Sequence, residues 1–220
     1  HTINHIYYQL ASEGGAEELI PDEAAAAAVA FVDDMMSTWG LKATRVTTSR
    51  FSGRGIRVAV LDTGFDADHP DFAGRSVTMK SFIPDESAQD GHGHGTHCIG
   101  TACGPLQSTF GRRYGVAHRA TIFAGKVLSN AGSGSDSGIL AGIEWALTNK
   151  CQVISMSLGA EVRPGQPFSI VYESVARRCL QADTLIVAAA GNSSRDPRTG
   201  RRRNPPNPVN HPANCPSIMA

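Results

Sequence analysis

Short apolar runs recur along the chain, each closed by a glycine-, serine- or asparagine-bearing turn, with stretches of helical spacing between them. Ile56-Arg57-Val58-Ala59-Val60-Leu61 follows the breaker Gly53-Arg54-Gly55 and has the near-continuous apolar character of a strand buried on both faces. Residues 121–128, 153–159 and 184–188 repeat that character. Between them, Ile139, Leu140, Ile143, Ala146 and Leu147 recur at helical spacing within residues 137–147, and residues 168–181 read as another helix. This alternation predicts an α/β fold with a doubly wound, mostly parallel sheet and helices on both faces. Nearer the start, Pro21-Asp22-Glu23 leads an alanine run through Phe31 and Met36. Proline and acids at a helix start, with alanine behind them, predict a helix there.

Bulk properties narrow the function classes. A chain of 220 residues suffices for one α/β domain with a real core. Twenty Lys and Arg balance twenty Asp and Glu, so no global field draws the chain to nucleic acid or an anionic membrane. No stretch reads as a membrane span. Residues 195–203 hold five arginines among prolines and glycine but no aromatics, and are read as a solvated, cleavable loop rather than a nucleic-acid patch. The sequence opens at His1 without a charged n-region and apolar run, so it reads as a processed product or a fragment and leaves the compartment open. Five scattered cysteines, without a CxxC pair, predict at least one free or intermolecularly paired thiol and no zinc site. Cys98 reads as a small apolar core thiol.

Chemistry concentrates in Asp90-Gly91-His92-Gly93-His94-Gly95-Thr96-His97-Cys98. Histidines and glycines packed this closely waste core volume and helix propensity, which points to a site. Asp62-Thr63-Gly64 directly follows the first apolar run, placing Asp62 at the carboxyl end of a buried parallel strand, where open α/β sheets build their sites. With Ala189-Ala190-Gly191-Asn192 after the run at 184–188, these motifs resemble those of the subtilisin-like serine proteases (subtilases). That family carries Asp-Thr-Gly after its first core strand and His-Gly-Thr-His at the opening of a helix. The resemblance begins at Trp39-Gly40-Leu41, which is similar to the start of the mature domain, and extends to residue 220.

The resemblance implies a serine endopeptidase in which Asp62 orients His94, His94 is the general base, and Asn192 donates to the oxyanion. It implies substrate-binding residues at Ser133 and Gly134, at Ser157, Leu158 and Gly159, and at Ala189, Ala190 and Gly191. An extended peptide would add there as a strand, main chain to main chain. No cofactor is required. Asp71, in His69-Pro70-Asp71, matches a structural-calcium ligand of many subtilases, although the other ligands are not identifiable and the acidic turn lacks an EF-hand's glycine and glutamate. A secreted protein is favoured, with the cytoplasm left open. Residues 1–37 are expected to be an N-terminal helical extension or propeptide remnant, and 38–220 the catalytic domain.

The family's nucleophile lies in a Gly-Thr-Ser-Met-Ala motif, and no Gly-Thr-Ser occurs in this sequence. Ser217 precedes a short apolar run read as the start of a core strand, so the resemblance assigns it to structure. The sheet is therefore expected to be incomplete at its C-terminal end, because stopping within that strand would leave an apolar, unpaired edge. The expected partners are a polypeptide substrate, the remainder of the domain or a second chain carrying the serine, and a propeptide or inhibitor. Three alternatives stand beside this reading. One is an inactive scaffold that holds a peptide or protein partner. Another is a metal hydrolase using His92, His94 and His97, although no placed carboxylate completes that set. The third is a nucleotide-binding domain, which requires Gly-x-Gly-x-x-Gly where Asp62-Thr63-Gly64-Phe65 stands.

Overall fold

The computed structural model describes residues 31–109, 111–195, 198–199, 201, 203 and 206–220. Five parallel strands, β1 (Arg57–Asp62), β2 (Val77–Ser81), β3 (Thr121–Lys126), β4 (Val153–Met156) and β5 (Leu185–Ala188), form one sheet in the order β2-β3-β1-β4-β5. The described helices are α1 (Trp39–Ala43), α2 (His94–Cys103), α3 (Asp136–Thr148) and α4 (Ile170–Gln181). From β1 the chain runs out to the edge strand β2, returns to β3 between the two, and then crosses to β4 and β5 on the other side of β1. This reversal opens a crevice at the carboxyl ends of the central strands.

Alternation along β1 sets the two faces. Val58 and Val60 pack with Ile122 and Ala124 of β3 against Ile99 and Cys103 of α2. Ala59, Leu61 and Phe123 face the other way, onto Ile139, Ile143 and Ala146 of α3, and this cluster continues through Ile154, Met156 and Ile186 to Ala176 and Cys179 of α4. Helices thus cover both faces, as a parallel sheet requires. Serine side chains start two of them: Ser135 accepts from the Gly138 amide at 3.2 Å, and Ser169 from the Tyr172 amide at 3.5 Å.

Coverage is uneven. All of Val58–Asp62 and Ile122–Lys126 are buried, whereas in β4 and β5 only Ile154, Met156, Ile186 and Ala188 are. Their neighbours on the α2 side, Val153, Ser155, Leu185 and Val187, are only half-buried, so among the described residues nothing fully covers that half of the sheet. Beyond β5, Met219 donates to the Ile186 carbonyl at 3.0 Å and accepts from the Ala188 amide at 2.8 Å, opening a sixth parallel position. Ser217 serves this turn: its amide and hydroxyl donate to the buried Glu173 carboxylate at 3.0 and 2.9 Å.

Two sequence expectations need adjusting, and one strand had not been expected. The helix expected from Pro21 through Met36 falls mostly outside the described residues, and residues 31–36 are not helical. Asp34 captures the amides of Met36 and Ser37 at 2.8 Å each, and Asp33 that of Trp39 at 2.7 Å, so short acidic side chains outcompete a continuing helix. The segment is instead joined to the body by hydrogen bonds from Thr38 to Arg113 (3.0 Å) and from Arg113 to Met36 (2.8 Å). The run at 153–159 ends as a strand at Met156, where the backbone turns toward the crevice. Finally, β2 had no apolar signature, because its residues alternate between half-buried and exposed at the sheet edge.

Candidate active site

Asp62 shares the parity of Val58 and Val60, so β1 delivers its side chain to the α2 face, where α2 begins with His94. The His94 Nδ1–H donates to Asp62 Oδ1 at 2.5 Å. Asp62 is 1% exposed, and the Thr63 amide donates to the same oxygen at 2.8 Å, while Oδ2 is buried without a protein partner. The hydrogen bond to Asp62, with a smaller contribution from Cys98 Sγ 3.9 Å away, holds the His94 imidazolium well above the ordinary imidazole range; partial burial opposes this and loses.

Close approach of the two elements depends on glycine. A Cβ on Gly95 would stand 2.3 Å from the Gly64 carbonyl oxygen, so only glycine lets α2 seat against the end of β1. Gly93 precedes the helix at φ +95° and supplies no capping side chain. Asp90 takes over that role. Its Oδ2 accepts from the Thr96 amide at 2.9 Å and hydroxyl at 2.7 Å, and its Oδ1 from the amides of His92 (3.0 Å) and Gly93 (2.8 Å) and the Thr63 hydroxyl (2.9 Å). Burial works to raise the Asp90 pKa, yet these donors together hold it down at about 2. Below the pair, fully buried Lys126 donates to the Thr63 carbonyl at 2.5 Å and Asn130 Oδ1 at 2.8 Å, and pairs with Glu86 at 3.2 Å.

The other expected site residues occupy loops at the same edge of the sheet. Ser133 and Gly134 follow β3, where the Ser129 amide donates to the Ser133 carbonyl at 2.8 Å. Ser157, Leu158 and Gly159 follow β4, with the Leu158 side chain turned into the core. Ala189, Ala190, Gly191 and Asn192 follow β5 and are exposed. At ordinary strand spacing β5 lies about 10 Å from β1, with β4 between them. Asn210, which had no sequence signal, lies with His211 between the last two loops. Asn210 donates its amide to the Ala190 carbonyl at 2.9 Å, and His211 and Ala160 pair in both directions at 3.0 Å. A Cβ on Gly191 would stand 2.7 Å from Asn210 Nδ2, so the Asn210 carboxamide fills the space beside that loop. Asp90 and Lys126 likewise escaped assignment, because each is tied to Thr63, which is remote from both in sequence.

His92 is exposed with its ring 6.2 Å from that of His94, and exposed His97 lines a cavity of about 840 Å³ on the far side of α2, with Trp39, Phe72 and Tyr114. The three histidines therefore do not converge. Among the described residues one set brings ligand atoms within 4.8 Å of each other, Asp62, His94 and Cys98, and it contains the hydrogen-bonded pair itself. At the expected calcium position, Asp71 accepts from the Thr109 amide at 2.5 Å and the Tyr114 hydroxyl at 2.6 Å. Each carboxylate oxygen thus accepts one hydrogen bond and keeps a second lone pair. All five cysteines are free thiols, with only Cys98 partly exposed.

A family model described as the Subtilase family matches residues 53–220. The chain is 37% identical over 182 residues to subtilisin E of Bacillus subtilis (strain 168), covering 82% of this chain and 44% of that protein. It is 35% identical over 192 residues to a cuticle-degrading protease of Metarhizium anisopliae, covering 80% of this chain and 44% of that one. A solved cold-adapted subtilisin-like serine proteinase superposes with a TM-score of 0.55 at 35% identity, covering 67% of this chain and 50% of that chain. The chain thus spans about half the length of these relatives.

Proposed function

Because the chain belongs to the subtilase family, we propose that the protein is a serine endopeptidase working through an Asp-His-Ser triad and an acyl-enzyme. The observation that carries this reading is the 2.5 Å bond between His94 Nδ1 and buried Asp62. It fixes the imidazole so that Nε2 faces away from Asp62 and is available as a base. In the proposed cycle Nε2 takes the proton of a serine hydroxyl as its oxygen attacks the peptide carbonyl carbon. It then passes that proton to the leaving amine, and water resolves the acyl-enzyme. Asn192 would donate to the developing oxyanion, and a substrate chain would run as an added strand beside residues 133–134 and 157–159.

The serine is proposed to lie on a segment outside these 220 residues, since no Gly-Thr-Ser occurs in them. The half-covered face over β4 and β5, beside α2, is where that segment would dock. A fluorophosphonate, which modifies only an activated serine, tests the proposal by intact mass on the full gene product. One adduct, lost on His94→Ala, is expected. A full-length protein that takes no label, with peptide still held in the crevice, overturns catalysis in favour of a peptide-binding scaffold.

A further inference from the structure

We infer that Asp90 is a positioning residue for the Asp62–His94 pair, acting through Thr63 and Gly95 to set the register between β1 and α2. The chain of contacts runs between the immediate neighbours of the two partners. Thr63, next to Asp62, accepts from the Gly95 amide at 2.8 Å, and Gly95 is next to His94. The same Thr63 hydroxyl spends its hydrogen on Asp90 Oδ1 at 2.9 Å, which turns its lone pair toward Gly95. Asp90 Oδ2 meanwhile holds the following amide, that of Thr96, at 2.9 Å. The Gly95 and Thr96 N–H groups lie in the first turn of α2 and have no carbonyl to bond within the helix. Both are therefore satisfied by side chains that also bind each other.

The arrangement differs from ordinary capping in where it is anchored. A serine or aspartate directly before the helix would stabilise α2 but leave its position over the sheet free. Here Gly93 occupies that place, and the acceptor comes from three residues earlier and is hydrogen-bonded to the end of β1. The Thr96 hydroxyl extends the staple by accepting from the Asp66 amide at 2.9 Å, on the loop leaving β1. Every element that could slide His94 past Asp62 is thus tied to one carboxylate, whose ionised form is favoured by its donors and by the positive end of the helix. Its catalytic consequence rests on the protease reading, whereas its effect on the Asp–His bond does not.

The test compares Asp90→Asn and the milder Thr63→Val in the full-length protein, with circular dichroism confirming the fold. A short Asp–His bond gives a far-downfield Nδ1 proton resonance, assigned by its loss in Asp62→Asn. Both variants are expected to weaken or shift that resonance. They should also lower kcat by about tenfold to a hundredfold at unchanged KM, the scale of a misplaced catalytic group, and the double variant should lose less than the product of the two. Folded variants with the wild-type resonance and wild-type kcat overturn the inference. If Asp90→Asn does not fold, Thr63→Val decides it on the same criteria. If the full-length protein takes no fluorophosphonate, the protease reading fails while the resonance still tests the positioning role.

Discussion

At the scale of single residues, the charge state of His94 governs what the pair can do. Its hydrogen bond to Asp62 raises its pKa above the ordinary imidazole value, so the neutral form needed for a general base accumulates only at pH above about 6.5. On the proposed protease reading, the kcat/KM profile of the full-length protein is therefore expected to climb through a mildly to strongly alkaline limb. Asp62→Asn should move that limb toward about pH 6.5 while lowering kcat about 10⁴-fold, the scale known for triad aspartates. An acidic limb that stays below pH 6 in the wild type would contradict this account. The same shift has the opposite sign for folding. Protonated His94 contributes stability below the unfolded value, and this is lost as pH rises through the folded one. Asp62 and His94 were legible in the sequence because each stands in a short motif beside a recognisable strand or helix start. Asp90 stood in the same motif, but its role depends on Thr63, 27 residues earlier, and only the fold brings the two together. Asn210 carried no pattern at all.

At the scale of elements, what matters is how closely α2 sits on the end of β1. Gly95 has no room for a methyl group, since its Cβ would fall 2.3 Å from a backbone oxygen that cannot swing aside. Gly95→Ala should cost about 1–3 kcal/mol in urea unfolding, as overpacking does, and should lengthen the Asp62–His94 bond. Lys126 provides a second test from below. It is fully buried at the end of β3 and binds the Thr63 carbonyl, Asn130 and Glu86. Lys126→Met preserves apolar bulk but leaves those acceptors unpaired, so a loss of about 3–5 kcal/mol is expected from thermal or urea unfolding. A loss below about 1 kcal/mol would mean that water replaces the ammonium. Strand and helix alternation was readable because central parallel strands are apolar on both faces. The edge strand β2 was not, since one exposed side removes the continuous run. Asp33 and Asp34 fell within the helix expected through Met36 but are turn acceptors in the fold, because their carboxylates reach local amides at 2.7–2.8 Å.

For the whole molecule, the two halves of the sheet are in different states. Over β1 and β3 both faces are buried, while over β4 and β5 the α2 side leaves Val153, Ser155, Leu185 and Val187 half-exposed. The sequence could not reveal this, because the apolar runs of β4 and β5 look as though both faces were covered, and what covers a face is a property of the assembled sheet. The mismatch between an apolar run and a half-open face is the physical argument for a covering segment, and its place beside α2 is why we propose that segment as the carrier of the serine. Val187→Lys separates the two states. In the 220-residue chain the lysine can reach water along the open face, so the change in stability should stay within about 1 kcal/mol. In the full gene product the same ammonium would be trapped under the covering segment, with a cost of several kcal/mol and loss of fluorophosphonate labelling. Equal costs in the two contexts would show that the face remains open when the rest of the protein is present, and the serine would then have to approach His94 from another direction.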